Sequence, residues 1–382
     1  MNIEKIRKDF GLSDEYAYFN SALASYPPKS VLDNVFKVLW ESRFPSEEGY
    51  FKIKSEIYND FTETAANFIN CDQDEIIGID CTSLGANYIA GGMDLNKNDN
   101  VILNNYEFVS LYQPFFYQSQ QKGFEVRVLK LETENFSIWD YEKLIDENTK
   151  LIALSLVEFS NGYRFNLEEI AEFKAKHNIP VFIDAIQATG VIKIDAKKYN
   201  VDFLAGGSSK WFSGFHGYGI FYIRKDLIRS INAPFSFFHG ILDQEQATKD
   251  YKSRSIPKYY VMDEGSMNKF IVSTENLAGK ICLTGIMKYM MDIGQEKIEN
   301  RILDFSTFLT EKLLKKGYIV NSPKSRENMS GIVSFVPGKD CDEFVEYLMQ
   351  KNIFVSHRYG GIRISIHFFN TEEEIKRLLN YV

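Results

Sequence analysis

Residues Val181–Trp211 read VFIDAIQATGVIKIDAKKYNVDFLAGGSSKW. Val181, Phe182 and Ile183 form an apolar run that ends in Asp184, with Gln187 one short step further on. A second run, Asp202 to Ala205, breaks into Gly206-Gly207-Ser208-Ser209-Lys210-Trp211. Both runs have the length and composition of buried strands. In a parallel sheet, ligands sit outside the carboxyl ends of the strands. An acid at one strand end and a lysine at the next are therefore placed to converge on one ligand.

Moving outward, the same rhythm repeats. EIIGID (75–80), NVILNNYEF (100–108) and GFEVRVLKL (123–131) read as strands. LIALSLVEF (151–159) is nearly all apolar, as expected of a strand covered on both faces. Before the opening stretch, Asn166 as N-cap with Glu169 three residues on approximates a capping box for a helix to His177. Strand and helix in alternation predict an α/β fold with a mainly parallel sheet. Upstream, the first 16 residues read as a short amphipathic helix. Ser30 is the expected N-cap of the helix after Pro27-Pro28, and residues 55–69 read as a helix whose apolar face carries Tyr58, Phe61, Ala65 and Phe68. Residues 232–270 are irregular and aromatic-rich, and so long a connection suggests a substrate-shaping role. From Glu275 onward, helices and short strands read as a smaller α+β unit.

The totals narrow the function classes. The 382 residues suffice for two domains, and 45% hydrophobic with 25% charged residues is ordinary globular composition. A net charge of −8 argues against nucleic acid or an anionic membrane as partner. No run approaches the roughly 18 apolar residues of a membrane span. The four cysteines are scattered without metal spacing, which predicts free thiols, a cytoplasmic setting and no metal site. No GxGxxG follows a strand in the first half, so a nicotinamide dehydrogenase fits poorly.

A lysine is usually a solvated surface charge. Lys210 instead follows a buried strand and Gly-Gly-Ser-Ser, and precedes Trp211 and Phe212, a setting that desolvates the amine and favours Schiff-base chemistry. Asp184 is then suited to face a pyridine nitrogen and keep it protonated, and Gln187 to reach a ring phenolate. The cofactor this set implies is pyridoxal 5'-phosphate. Thr82 and Ser83 lie where a strand gives way to the helix LGANYIAGG, a place for phosphate, although Thr82 also reads as a plain N-cap. Phe108 follows another strand and is the candidate to stack on the cofactor ring. Arg363, between Ile362 and Ile364, alternates away from the core face, yet its planar fork suits a substrate carboxylate and two glycines before it permit close approach.

Together TSLGAN, EFVS, FIDAIQATG, DFLAGGSSKWFSGFHGYGIFYIR, VSTENLAG and IRISIHFFNTEEEI resemble the class V aminotransferase family of fold-type I pyridoxal-phosphate enzymes. That group includes cysteine desulfurases, selenocysteine lyases, kynureninases and epimerase-like proteins. The resemblance implies a large αβα cofactor domain over about 19–273. It also implies a smaller α+β domain made of 274–382 with residues 1–18. It makes Lys210 the Schiff-base lysine, Asp184 the nitrogen partner and Gln187 the phenolate partner. Thr82, Ser83 and Ser209 would hold the phosphate, and Thr274 would reach the neighbouring subunit's phosphate across a homodimer. Arg363 would bind the α-carboxylate, with Asn20 close by. Two features depart from the family pattern. Ser209 stands where many relatives have histidine, and FVSHRYGGIR lacks the loop cysteine of the desulfurases. Transamination of an amino acid is the leading expectation. A lyase without the loop cysteine, an epimerase and a catalytically silent cofactor-binding protein are the alternatives.

Overall fold

The computed structural model describes residues 1–131, 136–255, 257 and 259–382. The two undescribed positions within the irregular stretch, 256 and 258, leave most of that expected pocket segment in view. A short strand β1 (Ala17–Tyr18) precedes seven strands of one sheet: β2 (Ile76–Ile79), β3 (Asn100–Asn104), β4 (Glu125–Leu129), β5 (Thr149–Ser155), β6 (Val181–Asp184), β7 (Phe203–Gly207) and β8 (Gly219–Ile223). Their order is β2-β8-β7-β6-β5-β3-β4, and only β8 runs against the rest. The α/β expectation holds.

Alternation along these strands explains how the sheet is buried. Ile102, Ile152, Leu154, Ile183 and Leu204 pack into one core, while Val101, Leu103, Leu151, Phe182 and Phe203 pack into another. Side chains of period two reach opposite faces, so a strand that is apolar at every position must be covered on both. Asp184 pairs with Ala205 of β7 and with Ser155 of β5, which makes the acid-bearing strand an inner one.

The remaining strands are β9 (Ile319–Val320), β10 (Ile332–Val336), β11 (Ile353–Phe354), β12 (Ser356–Arg358) and β13 (Gly361–Ser365). A four-stranded antiparallel sheet runs β12-β13-β10-β9, and β11 instead pairs with β1 near the amino terminus. A third core, with Phe19, Leu309, Phe335, Leu348 and Ile364, lies beneath it. Val355 separates β11 from β12, and the two short strands have different partners.

Local signals differ from expectation in instructive ways. The helix after Pro27-Pro28 starts at Lys29 with Pro28 at its cap. Ser30 caps nothing: its N–H and hydroxyl both donate to Asp9 from the first helix, 2.9 and 2.6 Å away. A remote carboxylate thus takes up the free donor at the helix start. The helix expected from residue 55 begins at Glu47, capped by Ser46. Asn166 does cap the helix Leu167–His177 by accepting from Glu168 N–H, but without the reciprocal half of a capping box. Among the described residues no helix is long and apolar enough to cross a membrane.

Gly190 closes the turn after β6 at φ +90°, where a Cβ would lie 2.7 Å from the Trp211 carbonyl oxygen. The chain after Asp184 is thereby pressed directly against the chain after Lys210. Gly190→Ala is expected to destabilise the fold by about 2–4 kcal/mol, the sum of a left-handed backbone and a clash with main chain. Denaturant unfolding checks this, and an unaltered midpoint would refute the close approach.

Candidate active site

Every chemistry-bearing residue of the opening stretch lies at the carboxyl edge of the large sheet. Asp184 is the last residue of β6 and is buried; its Oδ1 accepts from Ile186 N–H at 2.9 Å. Burial, only partly offset by that hydrogen bond and the charge of Lys210, pushes its carboxyl up to about 6. Lys210 stands three residues beyond β7. Burial lowers its amine to about 8, Asp184 opposes the fall, and Arg363 and Arg358 add to it. Among the described residues its Nζ makes no hydrogen bond; it lies 5.9 Å from the centre of the Phe108 ring.

The loop bearing Lys210 is held from several sides. Ser208 Oγ donates to the Phe215 carbonyl, Gly214 N–H to that of Ser208, and Ser25 N–H to that of Ser209 at 2.9 Å. Trp211, fully buried, donates from Nε1 to Gln187 Oε1 at 2.7 Å and stacks on His367. Gln187 Nε2 donates to the Ala22 carbonyl at 3.2 Å, so one amide ties both strand-end segments to the amino-terminal loop. One N–H of that Nε2 is left over, enough for a ligand oxygen.

At the other end, Cys81 is the N-cap of the helix Thr82–Gly92, and Thr82 is its first residue. Thr82 Oγ1 is buried without a partner, and a Cβ added to Gly207 would lie 3.2 Å from it. The absence of a side chain at Gly207 therefore lets the helix start meet the loop of Ser208, Ser209 and Lys210. Ser83 and Ser209 are half-buried beside it. Phe108 occupies the cap position of the helix Val109–Lys122, is 45% exposed, and meets Phe159 edge-on at 4.9 Å. An aromatic so uncovered is not a core residue.

Arg363 departs most from its sequence environment. The alternation with isoleucines places it outward, yet it is 2% exposed, because β13 lies between β10 and β12 and its far face is roofed by the 159 segment. Its Nε donates to Ser356 Oγ at 3.2 Å and its Nη1 to the Phe159 carbonyl at 2.9 Å, while buried Nη2 has no partner. Burial, then the charge of Arg358, lowers it to about 9. Asn20 bridges to Ser365 two residues along the same strand, with its Oδ1 also buried and unpartnered. Thr274 is exposed, just before the helix Leu277–Ile293.

Two features were not singled out by the sequence reading. Arg358 is one. The other is a buried carboxyl pair: Asn104 Nδ2 donates to Glu107 at 2.6 Å and to Glu158 at 3.0 Å, and Ser155 donates to Glu107 from both N–H and Oγ. Burial, then repulsion from Asp184 for Glu107 and from Glu107 for Glu158, raises both groups. The available signal was Glu158 within the largely apolar run 151–159.

The donors fit pyridoxal 5'-phosphate. Unpartnered Thr82 Oγ1 at a helix start suits the phosphate, buried Asp184 a protonated ring nitrogen, and desolvated Lys210 a carbonyl carbon. A model of the aminotransferase class-V family matches residues 17–378. A probable cysteine desulfurase of Pyrococcus abyssi is 27% identical, covering 98% of this chain and 96% of its own. One of Borreliella burgdorferi is 28% identical, over 99% and 96%. The apo structure of a cysteine desulfurase from Thermococcus onnurineus superposes with a TM-score of 0.87 at 24% identity, covering 99% of this chain and 96% of that one.

Proposed function

This chain belongs to the class V aminotransferase family, and from that premise we propose that it is a pyridoxal-phosphate-dependent carbon–sulfur lyase for a cysteine-type amino acid, working without an enzyme-borne persulfide. The similarity to proteins named as cysteine desulfurases favours breaking a C–S bond over the transamination expected first. The observation that carries the reading is the β12–β13 connection. Arg358 pairs directly with Gly361, so only Tyr359 and Gly360 form the turn, both left-handed at φ +47° and +72°. Such a two-residue turn is the tightest hairpin connection. A sulfur-relaying thiol needs a loop that swings to the substrate, and this turn offers neither thiol nor slack. Cys341 starts a helix, and burial with its acidic neighbours raises it toward the inert thiol form.

The overall change is RS–CH2–CH(NH3⁺)–COO⁻ plus water giving RSH, pyruvate and ammonium, which needs no oxidant. When bound, the cofactor supplies an electron sink for the charge left at Cα. Arg363 grips the α-carboxylate with Nη2, its other donors being fixed to Ser356 and Phe159, so the Cα–H is presented in one orientation. Lys210 Nζ takes that proton; an amine near 8 is partly neutral at physiological pH and so is a competent base. Asp184 would hold the proton at the ring nitrogen, Gln187 Nε2 would serve the phenolate oxygen, and Phe108 would cover the ring. Thr82, Ser83 and Ser209 would hold the phosphate, and exposed Thr274 would be contributed to it by the second protomer of a homodimer. Asn20 flanks the carboxylate.

Purified protein incubated with S-substituted cysteines should release pyruvate and thiol in equal amounts. A keto acid that keeps its sulfur side chain would return the site to transamination, and an inverted substrate to epimerisation.

A further inference from the structure

Arg358 has no role in the scheme above, yet the β12–β13 ladder aims it into the site. Ser356 stands opposite Arg363 and Arg358 opposite Gly361. The hydrogen bond from Arg363 Nε to Ser356 Oγ shows that these two share a face. Side chains two apart on a strand lie on one side, so Arg358 joins them, diagonal to Arg363. The residues beside the two on β12 and β13 are small, Ser356 and Gly361, and Ser334 pairs with Arg363 from β10. Nothing bulky separates the two guanidinium groups.

Neither arginine has an acidic partner among the described residues. Arg358 donates only to the adjacent His357 carbonyl, at 2.6 Å, and Arg363 keeps a buried, unpartnered Nη2. The positive charge of Arg358 is felt at both Arg363 and Lys210, and Asp184 is the carboxylate that opposes the fall at Lys210. Phe159, whose carbonyl accepts from Arg363, bridges the rings of Phe108 and Tyr359 at 4.9 and 5.5 Å, so an aromatic row runs from the Lys210 side to the hairpin turn. One α-carboxylate answers one arginine; a second anion is called for by the other.

We infer that Arg358 determines specificity: it receives a second carboxylate, carried on the sulfur substituent that departs, so the substrate is an S-linked cysteine conjugate with an acidic tail. This deepens the lyase reading and rests on it for which bond breaks, though not for which groups bind. With Arg363 on the α-carboxylate and Arg358 on the distal one, the substrate is fixed at both ends and the C–S bond lies between them.

The test uses two isosteric probes, S-carboxymethylcysteine and its neutral amide, S-carbamoylmethylcysteine. Dissociation constants are measured calorimetrically on cofactor-loaded Lys210→Ala protein, which cannot remove the Cα proton. The acid should bind at least about tenfold tighter than the amide, the worth of one charge-assisted hydrogen bond. Arg358→Gln in that background should bring the two within about twofold while leaving the amide's affinity unchanged, and Arg358→Lys should keep part of the preference. Equal binding of the two probes with Arg358 intact, or an acid preference that survives Arg358→Gln, overturns the assignment. Pyruvate release by the wild-type protein is scored separately. Pyruvate from both probes without discrimination leaves the lyase and removes the second-anion site. A preserved, Arg358-dependent acid preference without pyruvate keeps the anion site and removes the lyase.

Discussion

Lys210→Ala protein is expected to fold, to hold the cofactor without a covalent bond, and to lose turnover by at least about a thousandfold. Removing a positioned proton-transfer group alone costs roughly 10²–10⁴, and in the proposed reaction the same side chain also carries the carbonyl carbon. The fold should tolerate the change because the ammonium contributes little to it. Its Nζ makes no hydrogen bond among the described residues, and burial lowers it from the ordinary lysine value to about 8. Loss of its packed methylene stem and relief of its desolvation act in opposite directions, so unfolding stability of the apo protein should change by about 1 kcal/mol or less. Borohydride reduction followed by peptide mass analysis reads the covalent site directly. Label on Lys210 in the wild type and none in the variant is the expected pair; label on another lysine, or undiminished turnover, would displace Lys210.

The strand-end pair was legible because both its determinants are local. An apolar run of strand length ending in Asp184, and another ending in Gly206-Gly207, needed only the rule for parallel sheets to bring acid and lysine together. The inner position of β6, with Ser155 on one side and Ala205 on the other, is what that rule requires. Thr82 was legible for the same reason, since a strand breaking into a helix advertises free N–H groups.

Arg363 was legible as chemistry but not as geometry. Alternation with isoleucines describes a strand with one wet face, whereas β13 is roofed by Phe159 from the segment after β5 and flanked by Asn20 from the amino terminus. Neither contact is encoded nearby in sequence. Arg358 was illegible for a related reason: only the register of a two-residue hairpin turns it toward Arg363, and one more residue in that turn would reverse its face. Ser30 gives the converse case, a plausible local cap whose donors are taken by Asp9. Glu107 and Glu158 needed a third party, because Asn104 brings them together from β3.

Asp184→Asn is expected to cut turnover by about 10²–10⁴-fold while making the apo protein more stable at neutral pH. The activity loss follows from chemistry: an amide cannot hold a proton at the ring nitrogen, so the electron sink weakens at every step that leaves charge on Cα. The stability gain follows from linkage. The folded-state value is raised from 3.8 to about 6, chiefly by burial. The folded protein therefore binds this proton more tightly than the unfolded chain, and the charged carboxylate is a cost to folding. That cost is absent below about pH 4, where both states are protonated, grows between pH 4 and 6, and is complete above 6. A shift of about two units corresponds to roughly 3 kcal/mol, an upper figure for the gain of the neutral variant at pH 7.5. Urea unfolding of apo wild type and Asp184→Asn at pH 4 and 7.5 tests this: the curves should nearly coincide at the lower pH and separate at the higher. Added cofactor should then stabilise the wild type more than the variant, since only the carboxylate gains a cationic partner. Equal apo stability at pH 7.5 would mean that Asp184 is solvated. A gain without loss of turnover would mean that it faces no ring nitrogen. Both effects together would identify a carboxylate that the fold holds at a cost and that the bound cofactor neutralises.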